Sequence, residues 1–375
     1  MNAPRRVLIV GAGIAGLTLS IALARRGVVA DIVEVKPAWN IYGVGIILQS
    51  NGIRALDAIG LADAALALGY PYSVSRQCDE QGVFFSDRPK PNVAGERFPS
   101  SSGTMRRALH ELLLTTAQGL GVRPRLSVTV HEMRQEDDLV QVSLTDGSSA
   151  QYDLVVGADG VRSPTRQRLF GERWQPRFTG QSCWRVAAPR PEDVQGAHMY
   201  HGRNRLAGLI PVSQEQMYLL LLTEEPGNPR MPPGELHRLF RERLEGFGSH
   251  VGRIRETIND PAAVVYSPLE PILVPPPWSQ GRVVLIGDAV HAPTPHLAQG
   301  ASMAFEDAIV LTEELFESDD PIQAKIERFV ERRYERCKLI VNSSVAMGEG
   351  QMRPQPGQDL VLYSMRALEA LRSPI

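Results

Sequence analysis

Val7-Leu8-Ile9-Val10-Gly11-Ala12-Gly13-Ile14-Ala15-Gly16 is the stretch on which the fold turns. Arg5–Val10 is a short apolar run of strand type, and the glycines after it lead into a helical pattern that lasts to Arg26. A second apolar run, Val28–Val33, ends in Glu34. A buried strand, a helix and a second strand within about thirty residues make a βαβ unit.

Glycines at this spacing arise by chance in about one chain in four of this glycine content, so their context carries the argument. Between a strand and a helix, they permit a tight turn, close approach of backbone to a pyrophosphate, and close helix–strand packing. The helix N-terminus adds unpaired N–H groups and partial positive charge. Glu34 then accepts hydrogen bonds from ribose hydroxyls and repels a 2′-phosphate. Either FAD or NAD satisfies such a motif.

Two further stretches carry chemistry. Asp153–Gly157 reads as a buried strand and leads through Asp159-Gly160 to a helix start, with Ser163 as cap and Pro164 at the first helical position. On its own this reads equally well as a well-made connection. Val283–Ile286 is another buried strand. It delivers Gly287-Asp288 at its carboxyl end, where ligands of open α/β sheets sit, and a proline loop (Pro293, Pro295) leads to a helix near Gly300.

Elsewhere, a helix is expected from Asn51 as N-cap, a second over Arg106–Leu120, and strands over Val128–Met133, Leu139–Leu144 and Tyr152–Val156. From about Arg177 to Ser267, short alternating runs (Ser182–Ala188, Leu206–Val212, Met217–Thr223) and helical patterns (Pro233–Phe247, Ser249–Ile258) predict a second, largely antiparallel α+β domain. Helices follow over Gly300–Phe316 and after Pro321.

Composition supports a folded protein with a small-molecule partner. The 375 residues are 43% apolar, enough for two domains, and 40 basic against 42 acidic residues leave no cationic surface for nucleic acid. The three cysteines, Cys78, Cys183 and Cys337, form neither a disulfide framework nor a zinc motif and fit a reducing cytoplasm. The N-terminus imitates a secretory signal, but the glycine spacing explains it better, and no segment is long and apolar enough to span a bilayer.

The three motifs, in this order and at these separations, resemble the class A single-component flavoprotein monooxygenases, the family of p-hydroxybenzoate and salicylate hydroxylases. The resemblance covers essentially the whole chain. It implies a Rossmann-like FAD-binding domain formed by residues 1–70, 100–175 and 280–345. It also implies an interleaved antiparallel-sheet substrate domain (71–99 and 176–279) and a C-terminal helical segment (346–375). Gly11, Gly13, Gly16 and Glu34 match the residues that hold the ADP half of FAD, with Ile14, Ala15 and Lys36 beside them. Asp159, Gly160, Ser163 and Arg166 match a motif associated with both FAD and NAD(P)H. Gly287 and Asp288 match the motif that meets the ribityl chain, and Gly300 and Ala301 begin the helix facing the flavin ring. Arg106 resembles the family's arginine near the phosphates; Val44, Gly45 and Val130 fit by position.

The resemblance further implies that NAD(P)H, NADH or NADPH, reduces the flavin, that O₂ adds at C4a, and that the hydroperoxide hands its distal oxygen to a small aromatic or heteroaromatic substrate. Neither a general base nor a metal is expected. Arg185, His201, Tyr218 and Pro295 are pocket candidates, and the protein is expected to be a cytoplasmic monomer or homodimer. The chain departs from the family in having Ala298-Gln299-Gly300 where Gly-Gln-Gly is common, and Val35 where an arginine often follows the ribose-binding glutamate. His110-Glu111 and His131-Glu132 lack the second histidine of a zinc-protease motif, and His291 and His296 are expected to bond backbone. Alternatives are a related flavin oxidoreductase, such as an epoxidase or a reductase of isoprenoid or polycyclic substrates, and a non-catalytic FAD- or NAD-binding module.

Overall fold

The computed structural model describes residues 3–39, 44–136, 138–354 and 360–375. Its central sheet runs Ser279–Gln280, Val283–Leu285, Leu154–Gly157, Val7–Val10, Asp31–Glu34, Arg125–Leu126, parallel except for the first pair. Both faces are covered, which is why these strands read as unbroken apolar runs. Val7, Ile9, Ile32, Leu154, Val156 and Val284 pack among the helices. Their alternates Leu8, Val10, Val33, Val155 and Val283 pack against a three-stranded antiparallel sheet made by Val130–Glu136, Leu139–Leu144 and Ser149–Tyr152. The run expected as one strand over Tyr152–Val156 is divided between the two sheets, because Asp153 accepts the N–H groups of Arg5 (2.7 Å) and Arg6 (2.8 Å) and turns the chain.

All three motifs leave the carboxyl ends of adjacent parallel strands: Val7–Val10, Leu154–Gly157 and Val283–Leu285. This is the crevice in which doubly wound sheets bind ligands.

The second layer is a seven-stranded sheet in the order Val265–Pro268, Gln181–Pro189, Gln216–Glu224, Arg205–Pro211, Ala197–Gly202, Val74–Asp79, Phe84–Pro89. One face, including Trp184, Val186, Leu219 and Leu221, is sealed by Phe240, Val251 and Ile254 of the helices Leu236–Arg243 and Ser249–Thr257. The expected helix over Pro233–Phe247 is shorter, since Pro233 opens a 3₁₀ turn, Pro233–Glu235, ahead of it. The other face turns toward the cofactor domain. There Tyr218 and Ile210 pack with Val44 and Tyr72, next to a small sheet of Gly45–Gln49, Ser101–Met105 and Gly69–Tyr72.

The helices Gly300–Phe316 and Ile322–Met352 are joined by a buried ionic network, and the expected boundary at residue 345 falls inside the second of them. Arg333, Glu306 and Asp307 are each 0% exposed. Arg333 donates to Glu306 (2.7 Å) and Asp307 (2.8 Å), and Arg336 donates to both oxygens of Glu306 (2.8 Å each). Asp307 also accepts the Gly287 N–H at 2.7 Å and lies 2.6 Å from His291 Nε2. Burial alone would raise both carboxyls. Arg333 and Arg336 at Glu306, and His291 and Arg333 at Asp307, outweigh it and hold both below their ordinary range. Burial likewise opposes a charged His291, but Asp307 outweighs it and raises the imidazole well above its ordinary value.

Replacing Arg333 with Met leaves two buried carboxylates short of a partner and should cost about 3–5 kcal/mol in urea unfolding at neutral pH. The depressed carboxyl pKa values mean that the network's contribution is present at neutral pH and is lost as pH falls through the folded-state values. The His291 contribution has the opposite sense: it is complete below the ordinary imidazole pKa and is lost as pH rises through the raised one. An Arg333→Met midpoint equal to the parent's would show that the network carries no stability.

Candidate functional site

The glycines of the first motif divide into two jobs. Gly11 has φ +105°, donates its N–H to Val33 (2.8 Å), and would place a Cβ 2.5 Å from the Ala158 carbonyl oxygen. At Gly16 a Cβ would lie 2.0 Å from the Gly11 oxygen. Both are therefore required by the protein's own packing. Gly13 is different: a Cβ there meets nothing within 4 Å. The helix Ile14–Arg25 begins directly after it with no side-chain cap, so first-turn N–H groups at Ile14 and Ala15 face that open side. Glu34 is held across the loop, its Oε2 accepting the Ala12 N–H (3.1 Å) and its Oε1 the Lys36 N–H (3.0 Å). His110 Nε2 sits 3.0 Å from the Ala12 carbonyl and so carries a proton, a support that sequence reading missed.

The second motif is spent on itself. Asp159 accepts the Ser163 hydroxyl, and the Thr165 N–H (2.9 Å) and hydroxyl (2.6 Å). Ser163 caps the next helix as expected, accepting the Arg166 N–H at 2.9 Å. Arg166, matched by resemblance to a nucleotide contact, is instead fully buried and donates to the carbonyls of Trp174 (3.1 Å), Ala289 (2.8 Å) and Val161 (2.9 Å). It ties the second motif to the third, with each of its three nitrogens donating to a protein carbonyl.

The third motif meets the first through Gly287, whose φ is +61° and whose Cβ would lie 3.1 Å from that of Ala15. Asp288 is exposed between the buried Gly287 and Ala289 and opens a helical turn, Asp288–His291. Arg106, exposed at the start of the helix Arg106–Gly119, lies within electrostatic reach of it. Burial lowers its pKa, Asp288 opposes that, and the Arg185 cation adds to it. Asp288 and Arg185 thus both lie within electrostatic reach of Arg106. The histidines of the loop do not bond backbone as expected: His291 pairs with Asp307, and His296 Nδ1 lies 2.9 Å from the Thr294 hydroxyl.

Ala298 has φ +53°, a left-handed conformation that a Cβ resists and a glycine accepts freely. The departure from Gly-Gln-Gly therefore falls at the position where glycine costs least. Gln299 exchanges hydrogen bonds with Asn51 (3.1 and 3.0 Å), and Asn51 also donates to Glu306 (2.9 Å). Asn51 is thus not an N-cap; its helix, Ser50–Ala58, starts one residue earlier, and its amide fixes the turn before Gly300 and Ala301. Helix Gly300–Phe316 also opens without a side-chain cap.

Other expected residues scatter. A Cβ on Gly45 would lie 2.2 Å from the Tyr218 ring, so these two positions are in contact, and the Val44 carbonyl accepts the Arg106 N–H (3.2 Å). Val130 turns its side chain into the core, and its carbonyl accepts from Arg168 (3.0 Å). His201 is exposed at the outer hairpin, its Nε2 2.8 Å from Gln77, away from Arg185 and Asp288. Pro295 opens the 3₁₀ turn Pro295–Leu297 beside the cleft.

An open cradle at Gly13, two uncapped helix starts, a fixed carboxylate at Glu34 and a carboxylate–guanidinium pair at Asp288 and Arg106 fit the pyrophosphate, ribose and ribityl groups of FAD. The family model for an FAD binding domain matches residues 5–333. The chain is 35% identical over 313 residues to the 2-heptyl-3-hydroxy-4(1H)-quinolone synthase of Pseudomonas aeruginosa, covering 81% of this chain and 79% of that one. The chain belongs to the FAD-dependent monooxygenases. With 3-hydroxybenzoate 6-hydroxylase 1 of Aquipseudomonas alcaligenes it shares 31% identity over 356 residues, 89% of this chain and 86% of that one. The structure of Klebsiella pneumoniae HpxO complexed with FAD and uric acid shares its fold, with a TM-score of 0.83 at 24% identity over 98% of this chain and 92% of that one.

Gly13→Ala separates the two jobs of the glycines in this monooxygenase. Its added methyl meets no protein atom within 4 Å, so the apoprotein should keep its stability to within about 0.5 kcal/mol. FAD affinity, followed by flavin fluorescence, should fall at least about tenfold, because the methyl occupies the side from which the pyrophosphate approaches. Undiminished FAD binding would place the cofactor elsewhere.

Proposed function

We propose that this FAD-dependent monooxygenase uses NAD(P)H and O₂ to hydroxylate a small aromatic or heteroaromatic ring held between the cofactor cleft and the inner face of the seven-stranded sheet. The observation that carries this reading is that Arg106 feels the charges of both Asp288 and Arg185. Two of these belong to the cofactor domain and the third to the sheet, so a ligand on the sheet face lies against the cofactor. FAD, when bound and reduced by NAD(P)H, supplies the activation of O₂.

The protein's residues hold and shield. Gly13 and the start of helix Ile14–Arg25 receive the pyrophosphate, Glu34 the ribose, and Asp288 the ribityl hydroxyls. The uncapped start of helix Gly300–Phe316 stabilises negative charge on the reduced ring system. Tyr218, Pro295 and the apolar side chains of the sheet exclude water from the reacting atoms. Asp159 supports this cleft from behind. No other Gly-x-Gly-x-x-Gly follows a strand in the chain, so the nicotinamide donor is a transient visitor. No helix among the described residues is long and apolar enough to cross a membrane, and the three cysteines are free and buried, as a reducing cytoplasm would leave them.

The purified protein should be yellow, with one FAD per chain, and its NAD(P)H oxidation should rise on adding a phenol or hydroxylated heteroaromatic. Asp288→Ala should lose flavin and activity together, while Asp288→Asn, which keeps an acceptor, retains part of the flavin. Melting curves with and without excess FAD decide the point, since a ligand protects only through an intact site. FAD protection of Asp288→Ala equal to that of the parent would sink the assignment.

A further inference from the structure

Two arginines from different helices converge on the carbonyl end of the C-terminal helix. That helix, Leu360–Glu369, runs on into the 3₁₀ turn Ala370–Arg372. The last carbonyls of a helix have no partner within it and carry partial negative charge, which draws cations. Arg54 donates through Nη2 to the carbonyls of Leu371 (3.1 Å) and Ser373 (3.3 Å), and through Nη1 to those of Arg372 (3.3 Å) and Val93 (3.2 Å). Arg336 donates to the carbonyls of Leu371 (2.9 Å) and Ser373 (3.3 Å). The Leu371 side chain is buried in the main core, so the turn is firmly seated.

The same two side chains close a ring on the inner side. Arg336 also holds Glu306, Glu306 accepts the Asn51 amide, and Arg54 stands one turn beyond Asn51 on the helix Ser50–Ala58. From Asn51 the path runs through Glu306, Arg336, the Leu371 carbonyl and Arg54, and so returns to the helix where it began. Two guanidinium groups that share a carbonyl repel one another. Burial lowers the Arg54 pKa, Glu306 opposes that, and the Arg336 cation adds to it. The carbonyls of the turn hold both cations in place without adding a charge that would compete for Glu306.

What the ring grips is the first turn of the helix Gly300–Phe316. A Cβ on Gly52 would lie 2.3 Å from the Ser302 hydroxyl and 3.0 Å from the Ser302 Cα, so helix Ser50–Ala58 rests directly on that turn. From the same helix, Asn51 fixes Gln299, the residue before Gly300. Packing this close passes a shift on and does not absorb it. The favourable effect of uncapped N–H groups on negative charge falls off within one turn, so a small retreat of the helix start weakens it.

We propose that the carbonyl end of the C-terminal helix braces the flavin site, and that Arg54 is a positioning residue for the reduced cofactor. By tying helix Ser50–Ala58 to that turn, Arg54 sets the distance from which the N–H groups at Gly300 and Ala301 stabilise the reduced ring system. This rests on reading that helix start as facing the flavin.

The test is a reductive titration of the bound flavin in the FAD-loaded parent and three variants. Arg332 serves as the control: it pairs with Glu313 (2.7 Å) and Glu314 (2.8 Å) and donates to the Ile375 carbonyl (2.6 Å), gripping the same segment from outside the ring. Arg54→Met should weaken binding of reduced FAD about fivefold relative to oxidised FAD, which lowers the midpoint potential by about 20 mV for a two-electron couple. Arg332→Met removes the same charge and should leave the potential at the parent's value. Arg54→Lys keeps the charge but loses the fork that reaches several carbonyls at once, so its potential should also fall. That variant decides the matter if Arg54→Met fails to fold. A parental potential in either Arg54 variant, or an equal fall in Arg332→Met, overturns the proposal. If the parent is yellow and the potential stays unmoved, this inference alone is lost; a parent that holds no FAD defeats the functional reading as well.

Discussion

Everything at the cofactor cleft hangs from the buried carboxylates of Glu306 and Asp307. They sit fully buried in the middle of the helix Gly300–Phe316, where an unpaired charge would be strongly destabilising. The arginines of the next helix satisfy them, and the remaining acceptor capacity is directed at the active side of the protein. Asp307 takes the Gly287 N–H, which fixes the turn presenting Asp288, and the ring of His291, which fixes the loop after it. Glu306 takes the amide of Asn51, which in turn holds Gln299 at the start of helix Gly300–Phe316. A buried ion pair adds little net stability over well-packed apolar residues, so its value here is geometric. It sets the position of two loops from opposite sides of the cleft against one rigid point.

The glycines make the complementary argument from contact distance. Gly11 closes on Ala158, Gly16 on Gly11, and Gly287 on Ala15, each so tightly that a methyl group would collide or crowd. These contacts draw the ends of three parallel strands together. Arg166 then stitches the back of the assembly through three carbonyls. The cradle is thus rigid before any ligand arrives, and Gly13, the one glycine of the motif without a protein neighbour, is the one left to the ligand.

Much of this was legible in the sequence, and the failures have physical causes. The βαβ unit, the strand at Val283 and the helix Gly300–Phe316 were readable because burial on both faces writes long apolar runs and glycine writes turns. The strands Val74–Asp79 and Phe84–Pro89 were not, because an exposed sheet edge with Ser, Arg, Gln and Asp shows no alternation. The small strands Gly45–Gln49 and Gly69–Tyr72 were missed because their partner, Ser101–Met105, is distant in the chain. The roles of Arg166, His291 and Asn51 were misread for one common reason: each bonds a group far away in sequence, and no local pattern records that. A signal did exist for the network, since Glu306-Asp307 inside an apolar stretch demands buried cations and Arg333 and Arg336 lie three apart on the next helix.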